Sequence, residues 1–247
     1  MKLGLQEKII SSILLVSMVV SVVLSVMFYN NSVEVIENNY VSSVTDNLTV
    51  CAGMFDDIMK DAYYIAVNVS SDDIVQELVQ RDTETGRAEL LEQLTSYREG
   101  QIDSIYCYLP ADALLLKATR SEVVAQPCSE EDLAWLEQVI QEPDNPLCPQ
   151  YCMDETELLK KQSFLYAKPV IDTASGEVAA YIIVNVYERD IFFGCLQGYG
   201  DFSDSSTYIA TPDGKIASGT NLKQLGQEEP EPAEGMLVTS VTAPLSA

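Results

Sequence analysis

Histidine is absent from all 247 residues. That excludes a Ser-His-Asp or Cys-His catalytic site, a His-bearing zinc site and a phosphoacceptor histidine within this chain. Positive charge is scarce. Fourteen Lys and Arg face 38 Asp and Glu, for a formal net charge of −24. Nucleic acid and anionic membrane surfaces would repel such a chain, so neither is expected as a partner. No Walker loop and no G-x-G-x-x-G occur. The acid pairs Asp56-Asp57, Asp72-Asp73 and Glu130-Glu131 are adjacent in sequence. Neighbours on a helix point about 100° apart, so these read as caps and solvated faces, not acid/base dyads. With no nucleophile–base pair, an enzyme is not expected, nor is any cofactor or metal.

Charge is missing altogether from residues 9–29, IISSILLVSMVVSVVLSVMFY. A helix of this length crosses the roughly 30 Å hydrocarbon core of a bilayer. Its serines can bond back to the helix backbone. The run is too long for a signal-peptide core and ends in Met27-Phe28-Tyr29, which predicts an uncleaved anchor. Lys2 and Lys8 precede it, and no Lys or Arg follows until Lys60. The positive-inside rule then leaves residues 1–8 in the cytoplasm and sends 30–247 outside, a single pass through the cell membrane. Six cysteines, Cys51, Cys107, Cys128, Cys148, Cys152 and Cys195, would sit in that oxidising exterior, where disulfides persist. Their pairing is open on the sequence. Cys148 and Cys152 have C-x₃-C spacing, which reads as a loop staple or two half-cystines and not as a redox motif. Sequons stand at Asn30, Asn47 and Asn68.

Beyond the span, Val33, Ile36, Tyr40, Val44, Leu48, Cys51, Phe55, Ile58, Ala62, Ile65 and Val69 recur at steps of three or four. This predicts one long amphipathic helix over 30–70, about 60 Å of stalk if continuous. A homodimer paired along the stripe is plausible on symmetry grounds. Ser70-Ser71-Asp72-Asp73 ends it and caps a helix to about Gln80. Residues 81–86 read as a loop and 88–98 as a helix. The period then changes to strands at 102–109 and 113–119, a helix at 129–140 begun by Ser129, and a Pro-containing loop at 143–149. Strands at 164–171 and 178–187 form a hairpin around DTASGE, followed by a helix at 188–196. The order predicts an α+β fold, with helices on one side of an antiparallel sheet and the other side left for a pocket. A second strand–turn–strand begins at 206–219 with Pro212-Asp213-Gly214 at its bend. An acidic loop at 227–234 and a strand at 236–242 follow it. A full second copy of the sheet would need more chain than remains, so the second module is expected to be partial.

The stretch FLYAKPVIDTASGEVAAYIIVNVYERDIF, 164–192, together with YIATPDGKIAS, 208–218, resembles the extracellular double Cache (dCache, PAS-like) sensor region of bacterial membrane receptors. It is most like that of a YesM-like sensor histidine kinase. The resemblance implies a membrane-distal PAS-like sensor module over 71–196 and an incomplete membrane-proximal one over 197–247. It also implies a small-molecule ligand held on the sheet face away from the long helix. Signalling would run by helix rearrangement to a kinase that is absent from these residues. A methyl-accepting chemoreceptor and an anchored binding protein without output are the alternatives. Amino-acid-binding members hold the ligand ammonium on an Asp of the last sheet strand, where this chain has Asn185. No tight Arg-x-Trp-Tyr cluster is found, so an amino acid is a poor first guess.

The candidate ligand-binding residues are Tyr106, Tyr108, Arg120, Trp135, Tyr151, Tyr166, Lys168 and Asn185. Tyr106 and Tyr108 share one strand face, and Tyr166 and Lys168 share another. Arg120 or Lys168 would suit an anionic ligand. Against this, tyrosine on a half-buried strand commonly packs, and lysine reaches for water.

Overall fold

A computed structural model describes residues 4–81, 83–98, 100, 102–141, 149–152, 161–197, 206–210, 214–231 and 240. The chain divides into two units, Met1–Val50 with Leu237–Val241, and Cys51–Met236 with Thr242–Ala247. The predicted strand at 236–242 lies outside the described residues, apart from Ser240, as do residues 211–213 of the predicted 206–219 turn.

Helix α1, Leu5–Ser71, runs unbroken for 67 residues, as the absence of proline and the three/four spacing require. In the first unit its 9–29 side chains are exposed, Leu14 at 65% and Phe28 at 76% among them. Among the described residues it holds the one candidate membrane span. The lower stripe is half open, with Ile36 67% and Tyr40 47% exposed and Val33, Val44 and Leu48 partly buried. In the second unit the stripe closes. Cys51, Phe55, Met59, Ala62, Ala66 and Val69 are buried, with Ile58 and Ile65 partly buried beside them.

Against that line lies a six-stranded sheet built from β1 Ser104–Leu109, β2 Leu114–Ala118, β3 Val123–Pro127, β4 Pro149–Cys152, β5 Lys161–Ile171 and β6 Val178–Tyr187. Its order is β3-β2-β1-β6-β5-β4, every neighbour antiparallel. Phe55 of α1 meets Phe164 of β5 edge-on at 5.6 Å, both fully or almost fully buried. Side chains of this size each contribute roughly 1.5–3 kcal/mol by leaving water. Strands β3 and β4 were not foreseen. VVAQP is short and follows a polar turn, and PQYC sits among prolines, so neither shows an alternating pattern long enough to read.

Two short helices complete the α1 side. In α2, Asp73–Gln80, the Asp72 carboxylate accepts from the Ile74 and Val75 amides at 2.7 and 3.0 Å. Helix α3, Glu84–Ser96, starts four residues before the expected boundary, because Thr83 Oγ1 caps the Gly86 amide at 3.0 Å. A Cβ at Gly86 would meet the Arg81 carbonyl oxygen at 3.0 Å and Thr83 Oγ1 at 3.1 Å, a tight fit that glycine avoids. The opposite sheet face is not left open. Helix α4, Glu130–Gln141, packs Leu136 and Val139 on it, against Tyr106, Leu115, Leu165, Ala167 and Ile183. The expectation of helices on one side only is therefore corrected. Both sheet faces are apolar in β1, β5 and β6, and each needs a cover.

The β5–β6 turn follows the DTASGE reading. Asp172 Oδ1 accepts from the Ala174 amide at 2.8 Å, and Gly176 takes the left-handed conformation at φ 73°. After β6 the predicted helix breaks. Helix α5, Glu188–Ile191, passes into a π turn, Phe192–Leu196. A separate two-stranded sheet pairs β7, Tyr208–Ala210, with β8, Ile216–Gly219. The buried Glu188 carboxylate accepts from Ser218 Oγ at 2.7 Å, tying α5 to β8.

Candidate functional site

Successive residues on the central strands point to opposite faces. Ile105, Cys107, Phe164, Tyr166, Ile182 and Val184 enter the α1-side core. Tyr106, Leu165, Ala167 and Ile183 enter the α4-side cluster, with Tyr108, Trp135 and Tyr181 at its margin. By the same alternation Ser104, Ser163 and Asn185 belong to the α4 side. Asn185 stands opposite Ser104 on β1 and Leu165 on β5.

The polar centre of this face is Asn185, fully buried in the run IIVNV. Its Nδ2 donates to Ser104 Oγ at 2.9 Å and reaches Tyr106 Oη at 3.5 Å. Ser104 Oγ in turn donates to Tyr106 Oη at 3.0 Å. Tyr106 stacks obliquely beside Trp135 of α4, ring centroids 5.9 Å apart. Two buried oxygens of this face, Asn185 Oδ1 and Ser163 Oγ, have no hydrogen-bond partner among the described residues. Leaving a buried acceptor unmet costs about 1–3 kcal/mol, so the pair needs an account. Turning the amide over would keep the asymmetry. Ser104 and Tyr106 hydroxyls can serve either end, and the other end stays unmet.

The face also carries an ion pair. Lys117 of β2 lies 3.6 Å from Asp132 of α4. Asp132 also accepts from the Ser129 amide and hydroxyl at 3.0 and 2.8 Å. Burial works to raise the Asp132 pKa, yet these bonds and the Lys117 charge hold it below the ordinary carboxylate range. Burial pushes the Tyr108 phenol up, and the nearby Cys128 and Glu137 side chains add to the rise.

Of the eight candidates, the structure gathers Tyr106, Tyr108, Trp135 and Asn185. Tyr166 and Lys168 go to the α1 face, a correction to placing them at one pocket with the others. Tyr166 meets Tyr63 of α1 edge-on at 5.9 Å, and Lys168 Nζ sits 4.7 Å from the centre of that Tyr63 ring. Burial, reinforced by the Asp56 carboxylate and Tyr63, drives the Tyr166 phenol far above its usual value. Arg120 turns elsewhere too. It lies between β2 and β3, 3.8 Å from Asp103 and 3.7 Å from Asp190. The two cations chosen for an anionic ligand are thus both away from the Asn185 group. Tyr151 pairs with Gln162 in the β4–β5 ladder, and its side chain lies outside the described residues. Ser104 and Ser163 were missed. The signal for Ser163 was available, a hydroxyl that shares a strand face with Leu165, Ala167 and Pro169. A depression lined by Leu24, Ser25, Met27, Phe28 and Asn31 belongs to the exposed apolar run of α1 and not to the sheet.

No protein-family model matches the chain, and no curated protein matches it. Solved structures do. The periplasmic sensory domain of the Campylobacter jejuni chemoreceptor Tlp1 superposes with a TM-score of 0.56 at 16% identity, over 78% of this chain and 76% of that one. The sensory domain of C. jejuni Tlp3, with isoleucine bound, gives 0.53 at 16% identity, over 76% and 74%. The extracellular domain of vpHK1S-Z8, described as a histidine kinase, gives 0.56 at 11% identity, over 76% and 71%. The chain shares the fold of these receptor sensory domains.

Proposed function

We propose that this chain is the extracytoplasmic ligand-sensing region of a membrane receptor, anchored by residues 9–29, with residues 30–247 outside. The observation that carries the reading is the pair of unmet buried oxygens, Asn185 Oδ1 and Ser163 Oγ, on the sheet face opposite α1. A ligand with N–H or O–H donors answers them. Tyr106, Tyr108 and Trp135 supply the apolar wall that small-molecule sites need. The role is binding and not catalysis. The Tlp3 domain holds isoleucine. Here an ammonium would meet a neutral amide, a weaker acceptor than a carboxylate. A small, uncharged polar ligand fits better. An anion would find both Arg120 and Lys168 engaged elsewhere.

Coupling follows from the alternation of β6. Asn185 is flanked by Val184 and Val186, both buried in the α1 core. A ligand that shifts β6 on one face repacks the other, and packed interfaces move between discrete arrangements. The output we favour is a sensor histidine kinase of the double Cache type, with homodimer pairing along the 33–50 part of the stripe, where Ile36 and Tyr40 are exposed. The 51–69 part is already buried on the sheet. A chemoreceptor is the second reading, favoured by the Tlp1 and Tlp3 superpositions.

The test uses the full chain in lipid nanodiscs. Neutral polar compounds, amino acids and carboxylates are screened by thermal shift, and hits are titrated by calorimetry. The expected hits are neutral donors whose affinity falls at least tenfold in Asn185→Leu. Hits bound equally by Asn185→Leu and Trp135→Ala would remove this face as the site.

A further inference from the structure

We propose that Cys51 and Cys195 form a disulfide bond that staples α1 to the π turn after β6. The two lie 144 positions apart in sequence, yet Cys51 Sγ donates to the Cys195 carbonyl oxygen at 2.8 Å. A carbonyl oxygen is about 2.4 Å from its own Cα, so the Cys51 sulfur lies within about 5 Å of the Cys195 Cα. From there side-chain rotation brings sulfur to sulfur with little backbone movement. Both residues are buried in one cluster, 5% and 3% exposed. Burial and the neighbouring Cys51 push the Cys195 thiol up to about 11, which keeps it a thiol until an oxidant acts. Cys107 and Cys128 do not face each other. Cys107 belongs to the α1-side cluster and Cys128 to the α4-side one, so the sheet separates them.

The bond forms by exchange with a small or protein disulfide. The Cys51 or Cys195 thiolate attacks the oxidant and releases one thiol. The second cysteine then attacks the mixed disulfide and releases the other. One protein S–S bond is made and one oxidant S–S bond is broken. Two thiol hydrogens end on the reduced oxidant. Both thiols are buried in the folded chain, so the exchange belongs to folding or to a local opening. Oxidation of the isolated chain rests on the extracytoplasmic placement proposed above, whereas the pairing rests on the geometry alone.

The consequence is mechanical. Bridged cysteines keep their Cα atoms about 4.4–6.8 Å apart, and sliding α1 by one turn would displace it about 5.4 Å. The staple therefore fixes the axial register of α1 on the sheet and leaves tilt or rotation as its allowed motions.

The full chain is isolated from membranes with free thiols blocked in denaturant by N-ethylmaleimide, then digested without reduction and mapped by mass spectrometry. A second sample is first reduced, then equilibrated with glutathione disulfide before blocking. The expected result is a peptide pair joined through Cys51 and Cys195 in both samples. The folded protein should also lose of order 10 °C in Tm on reduction, a loss absent in Cys51→Ser. Joining in the glutathione sample alone would support the pair and count against the extracytoplasmic placement. Both residues alkylated in both samples, or either one joined to another cysteine, would overturn the proposal.

Discussion

Replacing Asn185 with leucine should leave the protein as stable as before, or more so, while removing its ligand response. Asn185 makes one good hydrogen bond, to Ser104 Oγ at 2.9 Å, whose net worth is about 0.5–1.5 kcal/mol. Its Oδ1 is buried without a partner, and removing that group returns about 1–3 kcal/mol. Ser104 and Tyr106 keep each other as partners at 3.0 Å, so no hydroxyl is orphaned by the change. Leucine has a similar volume and joins Leu165 and Ile183, already on this face. The balance runs from near zero to roughly 2 kcal/mol in favour of the variant, a Tm rise of up to about 8 °C for a unit of this size. Thermal unfolding of the full chain in detergent without ligand, followed by Trp135 fluorescence, measures it. A loss of more than about 2 kcal/mol would refute the reasoning, because Asn185 would then be a satisfied structural group.

Two other groups make the pH dependence testable. Burial raises the Glu188 pKa above its usual value, against the Ser218 and Gly219 hydrogen bonds. Its contribution is thus fully present below the unfolded pKa near 4.5 and is lost as pH rises through the higher folded value. In urea unfolding the stability of wild type relative to Glu188→Gln should fall between pH 4 and pH 8, and a flat difference would remove the buried-carboxylate account. Asp72 behaves oppositely. Burial would raise it, but the Tyr97 hydroxyl and the Val75 and Ile74 amides hold its pKa below the usual value. Its cap is present above the unfolded value near 3.8 and lost as pH falls through the lower folded one. Asp72→Ala should cost roughly 0.5–2 kcal/mol at pH 7 and progressively less in acid. A gap unchanged down to pH 2 would contradict this.

Much of the fold was legible because its signals are local. The three/four stripe of α1 and the Asp172–Gly176 turn each depend on residues near in sequence, as does the Asp72 cap. The features not legible in the sequence depend on distant partners. Nothing in VVAQP or PQYC says that another strand waits beside it. A Ser129-started helix does not declare which sheet face it will cover. Tyr166 and Lys168 share one strand face by the period of two, yet strand period cannot tell that face from its opposite until the long helix has chosen one.

The sequence by itself determined the long uninterrupted helix, the apolar run at 9–29, the hairpin at 164–187 and the exclusion of histidine chemistry. These follow from spacing, charge and turn residues within a few positions of one another. The tertiary structure alone decided that Asn185, Ser104, Tyr106 and Trp135 meet, that Arg120 and Lys168 do not join them, and that Cys51 reaches Cys195. Those meetings span up to 144 positions and are set by which faces of helix and sheet exclude water together. No short stretch of chain encodes that choice.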